Sequence, residues 1–143
     1  MERYKIGFTA GTFDLFHIGH LNLIQRSKSK CDYLIVGVNS DNLVSEYKSK
    51  LPFVNEEERM RIVSALRDVD QTVMIHSLDK VEQHKKYGFD VVFIGDDWKG
   101  NERWMKTEED LSAVGAKVCY LPYTDNVSTT KLIEKIIEIN VND

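Results

Sequence analysis

Apolar residues along the chain fall into two alternating patterns: short continuous runs, and longer stretches in which they recur at helical spacing. Tyr4 to Thr9 (YKIGFT), Tyr33 to Val38 (YLIVGV), Thr72 to Ile75, Val91 to Ile94 (VVFI) and Lys117 to Leu121 (KVCYL) have strand length. YLIVGV is apolar throughout, as strands buried on both faces of a parallel sheet are. Between these runs, Leu21 to Lys28, Glu56 to Leu66, Val81 to Tyr87, Glu108 to Val114 and Leu132 to Ile139 read as helices. The second helix carries Met60, Val63, Ala65 and Leu66 on its apolar face, and the last carries Leu132, Ile133, Ile136, Ile137 and Ile139. Strands alternating with helices predict βαβ units joined by right-handed crossovers. The expected fold is α/β: a doubly wound, mostly parallel five-stranded sheet with helices on both faces, in one domain over residues 1–143. Only Leu43 to Val54 reads as a long, partly polar connection, of a length that often serves as a flap.

Sheets of this kind bind ligands beyond the carboxyl ends of their strands, so the strand-to-helix turns are where chemistry is sought. After the first strand the chain reads GTFDLFHIGH, residues 11 to 20. Gly11 stands where the chain must turn, and the helix is expected to begin at Ile18 or Gly19. His17 and His20, three apart, share one helical face. Gly19 between them leaves space, and the free N–H groups of a helix start suit phosphate. Two imidazoles, backbone amides and a missing side chain together suggest a phosphate cradle. Neither GxxxxGK[ST] nor GxGxxG occurs. Zinc is a weaker alternative, since HExxH is absent and no third ligand lies nearby; simple packing or capping of the helix is another.

Composition narrows the partners. A formal charge of −4 argues against a broad nucleic-acid surface, so an anionic ligand must be held by a local cluster of positive groups. No apolar run approaches the roughly 20 residues that cross a bilayer, and the N-terminus lacks the apolar core of a secretion signal. A cytoplasmic location without membrane contact is therefore expected. Cys31 and Cys119 lack CxxC spacing and stand beside apolar strands, as core thiols do.

The ten-residue segment resembles the signature of the nucleotidyltransferase superfamily whose motif is written HxGH. The superfamily's second motif is matched by VSTTK, Val127 to Lys131, at the start of the last helix. Leu15 after Asp14 is similar to the cytidylyltransferase branch. GDDWKG at Gly95 to Gly100 and YLPYTDNVSTTK resemble the GDDW and YLPRTEGISTTK segments of bacterial glycerol-3-phosphate cytidylyltransferases. The resemblance runs from about Ile6 to Ile137. It departs at Tyr123, where that family has arginine, and at Asp125-Asn126, which replace Glu-Gly. VGVNSDNLV and LPFVNEEERM also resemble adenylyltransferase domains acting on heptose phosphate.

The resemblance implies a Rossmann-like nucleotidyltransferase fold and attack of a phosphate-bearing acceptor on the α-phosphorus of CTP, releasing pyrophosphate, with glycerol 3-phosphate or a close alcohol phosphate as acceptor. An adenylyltransferase using ATP and a sugar or flavin phosphate is the same-chemistry alternative, and a non-catalytic nucleotide-binding module the alternative of another class. His17, His20, Lys50 and Ser128 would be catalytic; Thr12, Phe13, Gly19, Tyr123, Thr124, Thr129 and Thr130 would meet the nucleotide. Lys48, Arg59, Arg67 and Lys80 would serve the acceptor. In isolation Lys48 and Lys50 read equally as a solvated loop, Arg59 and Arg67 as surface charges, Ser128 as a helix cap, and Trp98 as a core residue or a wall beside base or acceptor. Asp14 is expected to brace the turn. Mg²⁺ is expected as the companion of the triphosphate, with no protein metal ligands assigned. The family implies a homodimer.

Overall fold

The structure, a computed structural model, describes residues 3–142. Its five strands are β1 (Tyr4–Gly11), β2 (Cys31–Asn39), β3 (Gln71–Ile75), β4 (Val91–Gly95) and β5 (Lys117–Leu121). Its helices are α1 (Ile18–Lys28), α2 (Asp41–Lys48), α3 (Glu56–Ser64), α4 (Lys80–Tyr87), α5 (Glu102–Ala113) and α6 (Thr129–Asn142). A single 3₁₀ turn covers Asp96–Trp98. All pairings are parallel, in the order β3-β2-β1-β4-β5.

Side-chain alternation along β2 explains why the sheet is covered twice. Leu34, Val36 and Val38 enter one apolar cluster with Ile24 of α1 and Val63 of α3. Ile35 enters the opposite cluster, with Phe8, Val92, and Trp104 and Leu111 of α5. From Leu34 to Val38 the strand is buried on both faces, which accounts for the apolar run, while Tyr33 at its start is exposed. Each such side chain contributes about 1.5–3 kcal/mol by leaving water, an upper estimate. Cys31 is fully buried and Cys119 packs against the first cluster. Among the described residues no helix is long and apolar enough to cross a membrane.

Chain order reverses around β1, which pairs with β2 on one side and β4 on the other. Loops leaving β1 and its neighbours therefore diverge and open a crevice at their carboxyl ends.

Two local expectations are corrected. The first half of the Leu43 to Val54 connection is helical, because α2 begins at Asp41. Ser40 caps it by accepting from the Leu43 N–H, and Leu43 and Val44 bury its inner face. Only residues 49–55 remain as loop. Helix α6 starts at Thr129, before the expected Leu132, and Ile136, Ile137 and Ile139 stand more than half exposed.

Candidate active site

At the crevice lies a cavity of about 440 Å³. Thr12, Phe13, His17, Gly19 and His20 reach it from the β1–α1 turn; Lys48 and Lys50 from the end of α2; and Tyr123, Thr124, Ser128, Thr129 and Thr130 from the β5–α6 connection. A larger groove of about 870 Å³ between α5 and β5 holds none of these residues.

The β1–α1 turn is built against resistance. Phe13 and Leu15 adopt left-handed backbone, with φ of 55° and 50°, a conformation costing on the order of 1–3 kcal/mol at a non-glycine residue. Tertiary bonds hold it there. The Asp14 carboxylate accepts from the N–H groups of Phe53 and Val54, both at 2.9 Å. The Asp14 carbonyl accepts from the Thr129 hydroxyl at 2.8 Å, tying the start of α6 to the turn. Asp14 thus braces the turn through both backbone and side chain.

The two histidines cap α1 reciprocally. His17 Nδ1 accepts from the Gly19 N–H at 3.0 Å, and the His17 N–H donates to His20 Nδ1 at 3.2 Å. These are the roles that Ser or Thr and Glu or Gln take in a capping box. An Nδ1 that accepts carries no proton, so each neutral ring holds its hydrogen on Nε2. The Gly19 amide is therefore not left free for a ligand as expected; the rings take up helix-start backbone groups and offer their own Nε2–H donors instead. Gly19 is required for this: a Cβ there would lie 2.8 Å from His17 Cε1.

Both rings stay neutral. Burial lowers the His17 pKa. His20 sits edge-on to Phe13 and tilted against Phe16, with ring centres at 5.4 and 5.3 Å. Burial, and then the neighbouring His17, push its pKa down to about 3, against a smaller opposing pull from Asp14.

Lys48 and Lys50 flank Ser49, whose φ of 58° ends α2 and redirects the chain across the cavity. Tyr47, which the sequence pattern did not single out, locks the base of this segment. Its hydroxyl lies 3.0 Å from the Thr12 hydroxyl and accepts from the Asn39 amide at 3.3 Å. Its only sequence signal is its place beside the lysine pair.

Helix α1 fixes the far wall. Arg26 donates to the Pro122 carbonyl at 2.8 Å and Asn22 to the Thr124 hydroxyl at 3.0 Å, while the Tyr123 N–H donates to the Asp96 carboxylate at 3.2 Å. Ser128 caps α6, its hydroxyl accepting from the Lys131 N–H at 3.0 Å. Asp97 and half-exposed Trp98 complete this side. Burial, and then Asp96, raise the Asp97 pKa.

Three expected acceptor residues are corrected. Arg59 is 1% exposed and cannot meet a phosphate. Its guanidinium donates to the carbonyls of Val54, Thr12 and Asn39 and to the Asp41 carboxylate, at 2.7–2.8 Å. A cation that deep is stable only when carbonyls and a carboxylate surround it, and here they come from three separate segments of the chain. Arg67 is exposed, after α3, and does not line the cavity. Lys80 also stands outside it, because α4 starts beyond β3 at the sheet edge. Its ammonium lies 5.9 Å from the centre of the Trp104 ring. Burial, and then Arg103, lower its pKa to about 8, partly offset by Asp79.

Among the described residues no group of three or more His, Cys, Asp or Glu side chains gathers as a metal cluster.

Comparison with known proteins gives the family and the fold. Residues 8–135 match the family model described as cytidylyltransferase-like. The glycerol-3-phosphate cytidylyltransferase of Bacillus subtilis is 35% identical over 129 residues, which span 90% of this chain and 94% of that protein. The bifunctional protein HldE of Koribacter versatilis is also 35% identical, over 132 residues, but these span 92% of this chain and only 27% of HldE. Among solved structures, a lipopolysaccharide core biosynthesis protein from Thermoplasma volcanium superposes with a TM-score of 0.73 at 24% identity, over 85% of this chain and 99% of that one. That likeness concerns the fold.

Proposed function

The chain belongs to the cytidylyltransferase-like family, and from that premise we propose that it transfers CMP from CTP to glycerol 3-phosphate or a close alcohol phosphate, giving CDP-glycerol and pyrophosphate. One observation carries the reading: two neutral imidazoles that line the cavity each have Nδ1 occupied by a backbone N–H, which leaves Nε2–H as the donor of each ring.

The acceptor's phosphate oxygen attacks the α-phosphorus of CTP, and the bond from that phosphorus to the bridging oxygen of the β-phosphate breaks. His17 and His20 donate hydrogen bonds to the α-phosphate oxygens as charge grows on them. Because the capping bonds fix both rings beforehand, little reorganisation opposes the step. Lys48 draws the acceptor phosphate and Lys50 the triphosphate, both from a segment able to close over bound anions. The start of α6, with Ser128, Thr129 and Thr130, receives the β and γ phosphates. Thr12 and Phe13 bound the nucleotide beside the turn. No covalent intermediate on the protein is needed, because catalysis rests on positioning and charge stabilisation.

Mg²⁺ accompanying the triphosphate would neutralise charge on the leaving pyrophosphate. The residues suit an ion held by phosphate oxygens and water: the Asp14 carboxylate is engaged by two N–H groups, and among the described residues no cluster of three or more metal-ligating side chains gathers.

The proposal takes the enzyme to be a cytoplasmic homodimer. The exposed apolar stripe on α6, including Ile136, Ile137 and Ile139, is a surface of the kind that self-association covers.

A second reading, an adenylyltransferase using ATP and a sugar or flavin phosphate, is favoured by the likeness of VGVNSDNLV and LPFVNEEERM to heptose-phosphate adenylyltransferases. Pyrophosphate release measured with CTP and ATP, each against glycerol 3-phosphate and a panel of alcohol, sugar and flavin phosphates, separates the two. CTP-dependent turnover with a small alcohol phosphate is expected. Turnover with ATP alone would replace the proposal by its rival, and nucleotide binding without turnover on any acceptor would make the chain a binding module.

A further inference from the structure

The cavity is polarised. Its lining contains two lysines and no arginine; Lys48 and Lys50 both follow β2, and the histidines stand on α1. The opposite end, reached from β4 and β5, offers Gly95, Asp97, Trp98, Pro122 and Tyr123 and no cation in its lining: the Arg26 guanidinium bonds the Pro122 carbonyl and that of Arg103 lies 5.8 Å from the Trp98 ring centre, and neither lines the cavity. Lys131 is the nearest lysine in sequence, but its ammonium bonds the Asp125 carbonyl and does not line the cavity. A phosphate is ill served at this end, where no cation lines the cavity to receive it.

What the end does offer is aromatic surface. Tyr123 is 43% exposed and Trp98 41%. The Tyr123 ring lies against Gly95, where a Cβ would be 3.6 Å from its Cδ2. The chain around the ring is held at three successive residues: the Pro122 carbonyl by Arg26, the Tyr123 N–H by Asp96 and the Thr124 hydroxyl by Asn22. A ring held this way loses little freedom when a flat ligand settles on it.

We propose that Tyr123 is a nucleotide-positioning residue that receives the nucleoside end of the substrate on its ring, in place of a cation reaching the phosphates. Of the two substrates, only the nucleotide has a π face to lay there; the alcohol phosphate has none. This deepens the nucleotidyltransferase reading and rests on it. The contact reads flatness and not hydrogen-bonding edges, so it serves a pyrimidine and a purine alike.

The test is calorimetric titration of wild type, Tyr123→Phe and Tyr123→Ala with CTP, ATP and inorganic tripolyphosphate, with melting curves to check folding. Tyr123→Ala should weaken nucleotide binding roughly tenfold while tripolyphosphate affinity stays as in wild type, and Tyr123→Phe should bind nucleotides like wild type. The proposal is overturned if alanine leaves nucleotide affinity intact, if tripolyphosphate weakens equally, if phenylalanine loses as much as alanine, or if wild type binds no nucleotide. Should wild type bind and turn over only ATP, the cytidylyl assignment fails while the Tyr123 contact is judged on ATP.

Discussion

The ring of His17 lies stacked on that of His20, centre to centre 3.8 Å, and the backbone N–H of the first donates to Nδ1 of the second. Such an arrangement is stable only with both rings uncharged, and it couples helix capping to catalysis. The coupling can be separated. His17→Ala should cost about 1 kcal/mol of stability through the lost cap and on the order of 10²–10³-fold in kcat through the lost donor. His17→Asn should recover the stability in urea denaturation but not the rate of pyrophosphate release. An active asparagine variant would show that the ring only caps.

The pH dependence follows from the His20 pKa, lowered from 6.5 to about 3. The unfolded chain takes up a proton below about pH 6.5 that the folded chain refuses until about pH 3. Stability from this group is thus complete above pH 6.5 and falls as pH drops toward 3. The His20 Cε1–H resonance should not titrate between pH 8 and about 5. A midpoint near 6.5 in the NMR titration would contradict the burial on which the neutral-donor mechanism depends.

Arg59 organises the site without touching a substrate. Arg59→Ala leaves the Asp41 carboxylate and the carbonyls of Thr12, Asn39 and Val54 without their shared donor. The expected loss is about 3–5 kcal/mol, as for other broken buried ion pairs. Arg59→Lys should recover little of it, since an ammonium cannot reproduce the fork. Chemical denaturation measures both, and a near-neutral alanine variant would refute the bracing role.

Gly19→Ala sets two effects against each other. Alanine favours helix by up to about 1 kcal/mol, but its methyl would meet the His17 ring at 2.8 Å and Val127 at 3.5 Å. We expect stability within about 1 kcal/mol of wild type and a marked fall in kcat, because the ring must move from its capping position. Unchanged kcat would mean that the ring's placement is not limiting.

Lys80 holds a charge where burial disfavours it. Its pKa falls from 10.5 to about 8, so the folded chain sheds the proton first and stability rises with pH between 8 and 10.5. Lys80→Met should abolish that rise, raise stability at neutral pH and leave turnover unchanged. Melting temperatures across the alkaline range check the first two, and a loss of turnover would return Lys80 to the acceptor site.

Most of the architecture was legible because its causes are local. The runs YLIVGV, VVFI and KVCYL announce strands by composition, and GTFDLFHIGH places a turn and a helix start within ten residues. Helix α2 escaped because it has eight residues and only two buried side chains, too few for a periodic pattern; its start rests on one Ser40 cap. For Arg59 the resemblance implies a phosphate ligand, and an arginine in a polar helix reads in isolation as a surface charge; it is neither. Its burial arises from carbonyls up to 47 residues away in the chain, which no window of sequence reveals.

By itself, then, the sequence determined the alternation of strands and helices, the histidine pair at the first strand-to-helix turn, and the likeness that identifies the family. Periodicity, capping and glycine placement act over a few residues and are written where they act. The tertiary structure alone decided which nitrogen of each imidazole is free, which cations line the cavity and which do not, and that Tyr123 stands at the end whose lining has no cation. Those outcomes depend on partners brought together from distant segments, and a donor's availability is settled by what surrounds it in space.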